Sequence, residues 1–448
     1  MGILLLGWMM TKISNKILLL IGLCLSLSSQ ADNYHVFDQE IINPVMLDKS
    51  DLIKDPRLLE SFILQAIDQH RTEDLRLLRT LIDQNTIDPF VYHYGLGYLA
   101  MQDGDYKQAI RHFEHILKIN QDFNQISLLL MQALAFDKQY ARADDILVSL
   151  LEDPRVNNEM KQRLAQDQKW LKNQQAWQIS LGGGMLHDAN INNSPKIKNY
   201  QGWQLSPPVT ASGINISAAA QKNTNFYQNF SLQTQLGFDV KYYNKHQFND
   251  IHALVGTGIA YQDSDSSAGV MPFYQKRWYG NKPYSDTVGA RLWYQQQFSP
   301  KASIGLSGAA GQIKHQERKF LDGHYFNTSI GVYGSSQWMN INHHQQHAQE
   351  DSESYQDYGV SFGFLHSWQP VHLTHRFSAN YRHYDAADIF NITRRDWRYE
   401  TWHRLWHERF QYRGYIPSLN INYERVDSNH FAFDTEDIQA YFEIHKHF

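Results

Sequence analysis

A single cysteine, Cys24, is all that 448 residues supply, so the chain folds without a disulfide framework. Its length gives core enough to need neither a disulfide nor a metal staple. Long apolar runs are equally scarce. Hydrophobic residues make up 42% of the chain, and only the beginning holds an extended apolar stretch. That excludes a polytopic helical membrane protein, whose every span takes about 20 mostly apolar residues. Nor does charge of one sign dominate. The 41 Lys and Arg stand against 46 Asp and Glu, a formal charge of −5, which argues against the dense basic face of a nucleic-acid binder. Aromatics, in contrast, are abundant: 26 Tyr, 23 Phe and 11 Trp are 13% of the chain. A polar average with many aromatics is how an outer-membrane β-barrel reads, because lipid-facing and lumen-facing residues alternate and cancel.

Lys12 and Lys16 precede the apolar run Ile17–Leu27, and Ser29-Gln30-Ala31 follows as a small-x-Ala site. This pattern predicts a secretory signal peptide over residues 1–31. Leu23 stands before Cys24 where lipoprotein processing requires a small residue, so Cys24 is not read as a lipidation site. Cleavage after Ala31 removes two lysines and no acid, taking the formal charge from −5 to −7, and takes the only cysteine with it. A cysteine-free exported chain suits a protein kept unfolded across the periplasm before insertion.

Residues 32–54 show no period and read as a flexible leader. From 55 to 175 the pattern is helical, with an internal repeat. Tyr106, Ala109, Phe113 and Ile116 recur 34 residues later as Tyr140, Ala143, Leu147 and Leu150, and Leu96 recurs as Leu130. Thirty-four residues is the tetratricopeptide period. Gly97 and Ala109 fall where paired helices approach too closely for large side chains. Met131 departs from the small residue expected there, and a degenerate pair near 57–88 carries Leu75 in place of Ala. Such an array stacks into a solenoid whose concave face binds extended peptide or a protein surface. Tyr94, Tyr98 and Met101 are the candidate groove residues; the alternative is that they only pack between helices.

At Trp177 the period changes to two, and residues 176–448 read as the barrel. Phe230, Leu232, Thr234, Leu236, Phe238, Val240 and Tyr242 alternate with Ser, Gln, Gln, Gly, Asp and Lys. Similar runs start at Ile251, Val288, Tyr358 and Leu419, each long enough for a transmembrane strand of about 9–11 residues. At roughly 19 to 20 residues per strand and connection, about 14 strands are expected, an even number. Long external loops are expected at Asn192–Ser212, Gln262–Ala268 and Asn340–Ser354, with short periplasmic turns at Asn244–His246, Ser299–Lys301 and Gln369-Pro370. Counting back by two from the terminus gives Phe448, Lys446, Ile444, Phe442, Ala440 and Ile438. An alternating last strand ending on Phe is what the barrel-assembly machinery recognises, so Phe442, Ile444 and Phe448 form the candidate assembly signal. The fold class is thus α + β multidomain: a tetratricopeptide solenoid followed by a transmembrane antiparallel β-barrel.

Enzyme readings find little to stand on. The cluster Asn342–His347 reads as a solvated loop without metal-ligand spacing. Arg394-Arg395-Asp396 reads either as an anchor for an acidic substrate or, preferably, as part of a salt-bridge ladder across strands. Gly182-Gly183-Gly184 precedes no helix and reads as a strand kink. Neither a nucleophile elbow nor a helical HExxH motif is present. No catalytic, cofactor or metal residues are assigned.

The order of parts resembles the surface lipoprotein assembly modifier family. His187-Asp188-Ala189-Asn190-Ile191-Asn192 resembles that family's first-strand motif, and Arg394-Arg395-Asp396 a later-strand motif. Pro417, Tyr423-Glu424-Arg425 and Ser428-Asn429 resemble the penultimate strand and its loop. Asp188, Asn190, Asn192, Arg394, Arg395 and Asp396 are accordingly the candidate lumen and motif residues. The resemblance implies an outer-membrane translocator carrying client proteins from periplasm to cell surface. The clients it implies are surface lipoproteins or secreted haem-binding proteins, in the service of iron and haem acquisition. Partners would be the client, outer-membrane lipid, the barrel-assembly machinery and periplasmic chaperones, with no nucleic acid and no cofactor. Exopolysaccharide export, which also joins tetratricopeptide repeats to a barrel, is the alternative.

Overall fold

A computed structural model describes residues 49–83, 86–412 and 414–447. The expected signal peptide, most of the leader and Phe448 lie outside the described residues. The leader's last residues, Lys49–Lys54, form a short helix, α1, in a unit of their own that ends at Asp55. Asp55 precedes Pro56, and a residue before proline is pushed out of the helical region. Everything from Pro56 onward forms a second unit.

That unit opens with α2 (Pro56–Asp68), where Pro56 occupies the first helical position, whose N–H has no intrahelical partner anyway. Leu59, Ile63, Ala66 and Ile67 form its buried stripe at helical spacing. The partner helix α3 (Thr72–Leu78) is short and runs into a 3₁₀ turn, the physical form of the degenerate first pair. Two full pairs follow: α4 (Pro89–Gln102) with α5 (Tyr106–Ile119), and α6 (Asn124–Phe136) with α7 (Tyr140–Glu152). A longer helix, α8 (Asn158–Gln174), closes the array. Asp88, Asp105 and Asn157 cap α4, α5 and α8 by accepting the N–H groups of Phe90, Gln108 and Met160.

The repeat logic is visible at two points. A Cβ on Gly97 would lie 2.8 Å from the Phe113 ring, so only glycine lets α4 lie this close to α5. At the turn between paired helices Gly104 has φ +79°, and its counterpart 34 residues later, Lys138, is held at φ +62°. The second copy therefore keeps a left-handed turn without the residue that makes it cheap. Met131, the counterpart of Gly97, is buried.

The barrel has fourteen strands in a closed antiparallel ring. In chain order they are β1 (Gln178–Asp188), β2 (Ala211–Tyr227), β3 (Phe230–Tyr243), β4 (Asp250–Gln262), β5 (Ser266–Tyr279), β6 (Lys282–Ser299), β7 (Ala302–His315), β8 (Gly323–Gly334), β9 (Gln337–Ala348), β10 (Tyr355–Trp368), β11 (Val371–Ala387), β12 (Thr393–His407), β13 (Ile416–Ser428) and β14 (Thr435–His447). Each strand pairs with its neighbours in sequence, and β1 pairs with β14. The alternation sorts as expected. Leu292, Ile438 and Phe442 are 59%, 61% and 65% exposed on the outer face, whereas Asn420 on the inner face is fully buried. Closure leaves no open edge in the ring, which is what a hydrocarbon environment demands of a sheet.

Three expected connections fall elsewhere, because every strand reverses direction and parity decides the end. Gln262–Ala268 lies at the end nearest the helices, and Asn244–His246 belongs to a connection at the far end. Only Gln349–Ser354 of the third expected loop is a connection, since Asn340–Ala348 is part of β9. Asn342–His347 is therefore strand, not solvated loop: the apolar count over Gln337–Ala348 is low, but both neighbours, β8 and β10, supply full ladders. Ser299–Lys301 and Gln369-Pro370 are tight turns at the helical end.

Candidate functional site

The inner wall over β10–β13 carries charge in compensated pairs. Arg382 meets Asp357 at 2.9 Å, Arg376 meets Glu400 at 2.8 Å, and Arg398 meets Glu424 at 3.2 Å, each bridging adjacent strands. The ladder expected at Arg394–Asp396 thus exists a few residues further on. Arg394 itself pairs with Asp396 of its own strand at 2.6 Å and lies over the rings of Tyr384 and Phe433. Asp396 is buried by this pairing, and Arg395 points out of the wall with its backbone N–H given to Asn429. The reason is spacing: residues two apart on a strand share a face, so Arg394 and Asp396 satisfy each other first.

The Asn-rich motif builds a loop. Asp188 accepts the Asn190 N–H at 2.9 Å and reaches across to Gln439 of β14 at 3.2 Å. The Asn190 amide donates to Ser194 O and accepts Ser194 N–H, and Asn192 brackets Pro207 O and Val209 N–H in the same way. The side-chain amides of Asn190 and Asn192 thus bind backbone groups of the 189–210 connection. This loop lies over the β13–β14 connection: Lys196 pairs with Asp434 at 3.1 Å and Glu436 at 3.4 Å, and Tyr200 stacks on Phe431 at 3.7 Å.

Of the groove candidates, Tyr94 and Tyr98 are each only 7% exposed. The Tyr94 hydroxyl accepts from Gln125, and the Tyr98 hydroxyl lies 2.9 Å from His70 Nδ1. Both tyrosines tie neighbouring repeats together, and burial raises both phenols above their ordinary range. Met101 is half-buried. Phe442 and Ile444 lie on the outer face of β14, while Phe448 is outside the described residues.

What sequence reading missed is the junction between array and barrel. The Asn229 amide, in the β2–β3 turn, donates to Asp137 O at 2.6 Å, to Asp137 Oδ2 at 3.1 Å and to Gln262 O at 2.9 Å. Asn225 accepts the Ala141 N–H at 3.0 Å, and its own N–H goes to Gln175 Oε1 at 3.1 Å. In the β4–β5 turn, Asp263 receives Lys107 Nζ at 2.6 Å, the Tyr261 hydroxyl at 3.0 Å and the N–H groups of Asp265 and Ser266. Burial opposes its ionisation, but the Lys107 ammonium and those N–H groups win and hold the carboxyl at about 2. Asp137, Asn225, Asn229 and Asp263 are all buried. In sequence they read as ordinary Asn and Asp turn formers, which is why they carried no signal.

Among the described residues no group of three or more His, Cys, Asp or Glu is arranged to hold a metal ion. No described helix is long and apolar enough to cross a membrane. The fold and junction together define a class: a closed outer-membrane barrel with a tetratricopeptide array docked on the turns at one end. The family model for the surface lipoprotein assembly modifier matches residues 177–448, and that for the family's N-terminal tetratricopeptide repeats matches residues 45–147. The chain belongs to the surface lipoprotein assembly modifier family. It is 26% identical over 420 residues to "Surface lipoprotein assembly modifier 1" of Neisseria meningitidis serogroup B, covering 90% of this chain and 86% of that one. A protein of the same name from Haemophilus influenzae is 26% identical over 89% of this chain and 86% of its own. "Hemophilin secretion modulator" of Acinetobacter baumannii is 24% identical over 74% of each chain. These matches do not favour the exopolysaccharide alternative.

Proposed function

We propose that this chain delivers client proteins from the periplasm to the cell surface, with the helical array receiving the client and the barrel giving or assisting its passage. The observation that carries this reading is the buried junction, which holds a repeat array of protein-binding type against the turns of a closed barrel. A passive porin would leave such an array without work. The clients are of the kinds named for its relatives: surface lipoproteins, or a secreted protein of hemophilin type. The role is non-catalytic. The sequence carries no ATP-binding motif, so the direction of transport comes from client folding and capture outside. Periplasmic chaperones keep the client extended, and the barrel-assembly machinery inserts this chain through its last strand.

Surface biotinylation of intact cells, with and without the gene, tests the proposal. The expected result is one or more lipoproteins or secreted proteins still made but lost from the surface, and restored by complementation. An unchanged surface set in the deletion strain overturns it.

A further inference from the structure

The closing seam of the barrel is not paired along its whole length. Along β1 and β14 the register is constant, with Ser180–Gly184 paired to Glu443–His447 and Asp188 paired to Gln439. Between them, among the described residues, Met185, Leu186 and His187 have no paired residue on Ala440, Tyr441 and Phe442. A comparable lapse on the β4–β5 ladder, at Thr257-Gly258, faces Pro272, which has no N–H to give. No proline lies at the seam. A cleft of about 510 Å³ opens at the unpaired stretch, lined by Met185, His187, Ile214, Tyr441 and Phe442 among others.

A Cβ on Gly184 would lie 2.0 Å from the Phe442 carbonyl oxygen, so only glycine fits against β14 just below the lapse. Three consecutive glycines, Gly182–Gly184, also remove the cross-strand side-chain pairs that normally stabilise a ladder. Asn215 Oδ1, on the other side of β1, is buried there without a hydrogen-bond partner. The slot is closed above by the Asp188–Gln439 contact and by Lys196 on Asp434 and Glu436, and below by the five paired residues. At its foot the chain is tied to the array: Gln175, just after α8, holds Asn225 of β2, the strand beside β1.

Unpaired backbone N–H and C=O groups on a strand are a template for another strand. We propose that the slot between β1 and β14 is a binding site for an extended polypeptide segment, which adds to β1 as a strand once the upper clasp opens. This rests on the reading above, under which the segment belongs to a client in transit. Main-chain pairing supplies binding that tolerates many sequences, and the apolar side chains at the cleft favour a segment of alternating apolar and polar residues.

The test uses the purified full chain in detergent and a synthetic peptide with the sequence of residues 435–448, carrying benzoylphenylalanine at the position of Tyr441. In the native register that position faces Leu186. Irradiation should give an adduct mapping to residues 185–187. In the Asp188→Cys/Gln439→Cys variant, oxidation should lower adduct yield at least fivefold and reduction should restore it. Ser307→Cys/Ser329→Cys, whose native hydroxyls are 2.9 Å apart on β7 and β8, should show no such loss. No adduct, an adduct spread over the barrel, or equal loss in the control pair overturns the proposal. Should the cysteine variants fail to show heat-modifiable migration, hydrogen exchange on the unmodified chain decides. Residues 185–187 also pair with β2 on their other side, so at least one of their amides, directed at β14, should exchange at least tenfold faster than any of 181–184, and equal protection of all three overturns the slot. The peptide assay needs no client, so its failure sinks the slot even where gene deletion empties the surface. An adduct with an unchanged surface set overturns the assignment of the strand to a client.

Discussion

Replacing Asn229 by Ala should loosen the array from the barrel far more than removing the Lys107–Asp263 salt bridge between them. The Asn229 amide serves three oxygens, two of them on Asp137, and Asp137 is fully buried. Without it the Asp137 carboxylate keeps the Gln139 amide at 2.7 Å, and the Asp137 carbonyl loses its junction donor. A hydrogen bond to a charged group contributes about 1.5–3 kcal/mol and a neutral one about 1 kcal/mol, so the loss is roughly 2–4 kcal/mol. Lys107 looks like the stronger tie, at 2.6 Å from Asp263, but its side chain is 53% exposed. Solvent screening reduces such a pair to about 1 kcal/mol or less. Asp263 would also still receive Tyr261, Asp265 and Ser266. At about 1.4 kcal/mol per tenfold change, Asn229→Ala raises the undocked population roughly 30- to 700-fold, and Lys107→Met about fivefold or less. Hydrogen exchange of the full chain in detergent reads this at the Ala141 amide, which is bonded to Asn225 across the junction. Unchanged Ala141 protection in Asn229→Ala, with the barrel intact by heat-modifiable migration, refutes the reasoning. So does a larger effect from Lys107→Met.

Three further outcomes test the array. Gly97→Ala places a methyl 2.8 Å from the Phe113 ring and 3.1 Å from His112 Cβ, and should lower helical-domain stability by about 1–3 kcal/mol in urea followed at 222 nm; an unchanged midpoint contradicts the close crossing. Lys138→Gly relieves a left-handed backbone and should raise stability by about 0.5–1 kcal/mol net of the added unfolded-state entropy, whereas a loss would mean that the Lys138 side chain does more than occupy the turn. His93 is packed against His112 and His115, with ring centroids 5.2 and 3.9 Å away, and burial followed by the two neighbouring imidazoles lowers it from 6.5 to about 4. A depressed histidine contributes stability that is complete above pH 6.5 and fades as pH falls towards 4, so unfolding midpoints should drop between pH 7.5 and 5 and drop less in His93→Phe.

Much of the architecture was legible because it rests on periods. The 34-residue step located both full helix pairs, and Gly97 and Ala109 lie at the crossing that the step requires. Strict alternation over Phe230–Tyr242 identified the outward face, and the length of chain after Trp177 sufficed for the fourteen strands. The misplaced loops share one cause. Composition shows where a strand ends but not how many strands precede it, and a single miscounted reversal exchanges the two ends of the barrel. Asn342–His347 fails differently: His and Gln are poor strand formers alone, and the pairing of β9 with β8 and β10 overrides that preference.

The motif residues teach a narrower lesson. Asp188, Asn190 and Asn192 read as polar groups aimed at a lumen, yet Asn190 and Asn192 are consumed in rivetting one loop, and Asp188 pins the far end of the seam to Gln439. A short-range motif thus does long-range work, because the loop it shapes reaches the β13–β14 connection through Lys196 and Tyr200. The clasp therefore joins the first external connection to the last, spanning the strand pair whose ladder lapses. Directly beneath it lie Met185–His187, the residues of β1 with no partner on β14. A pinned top, a zipped foot and an unpaired middle are what a seam needs if it must stay shut at rest and part under load. The array, tied through Gln175 to the strand next to that seam, is positioned where the load would enter.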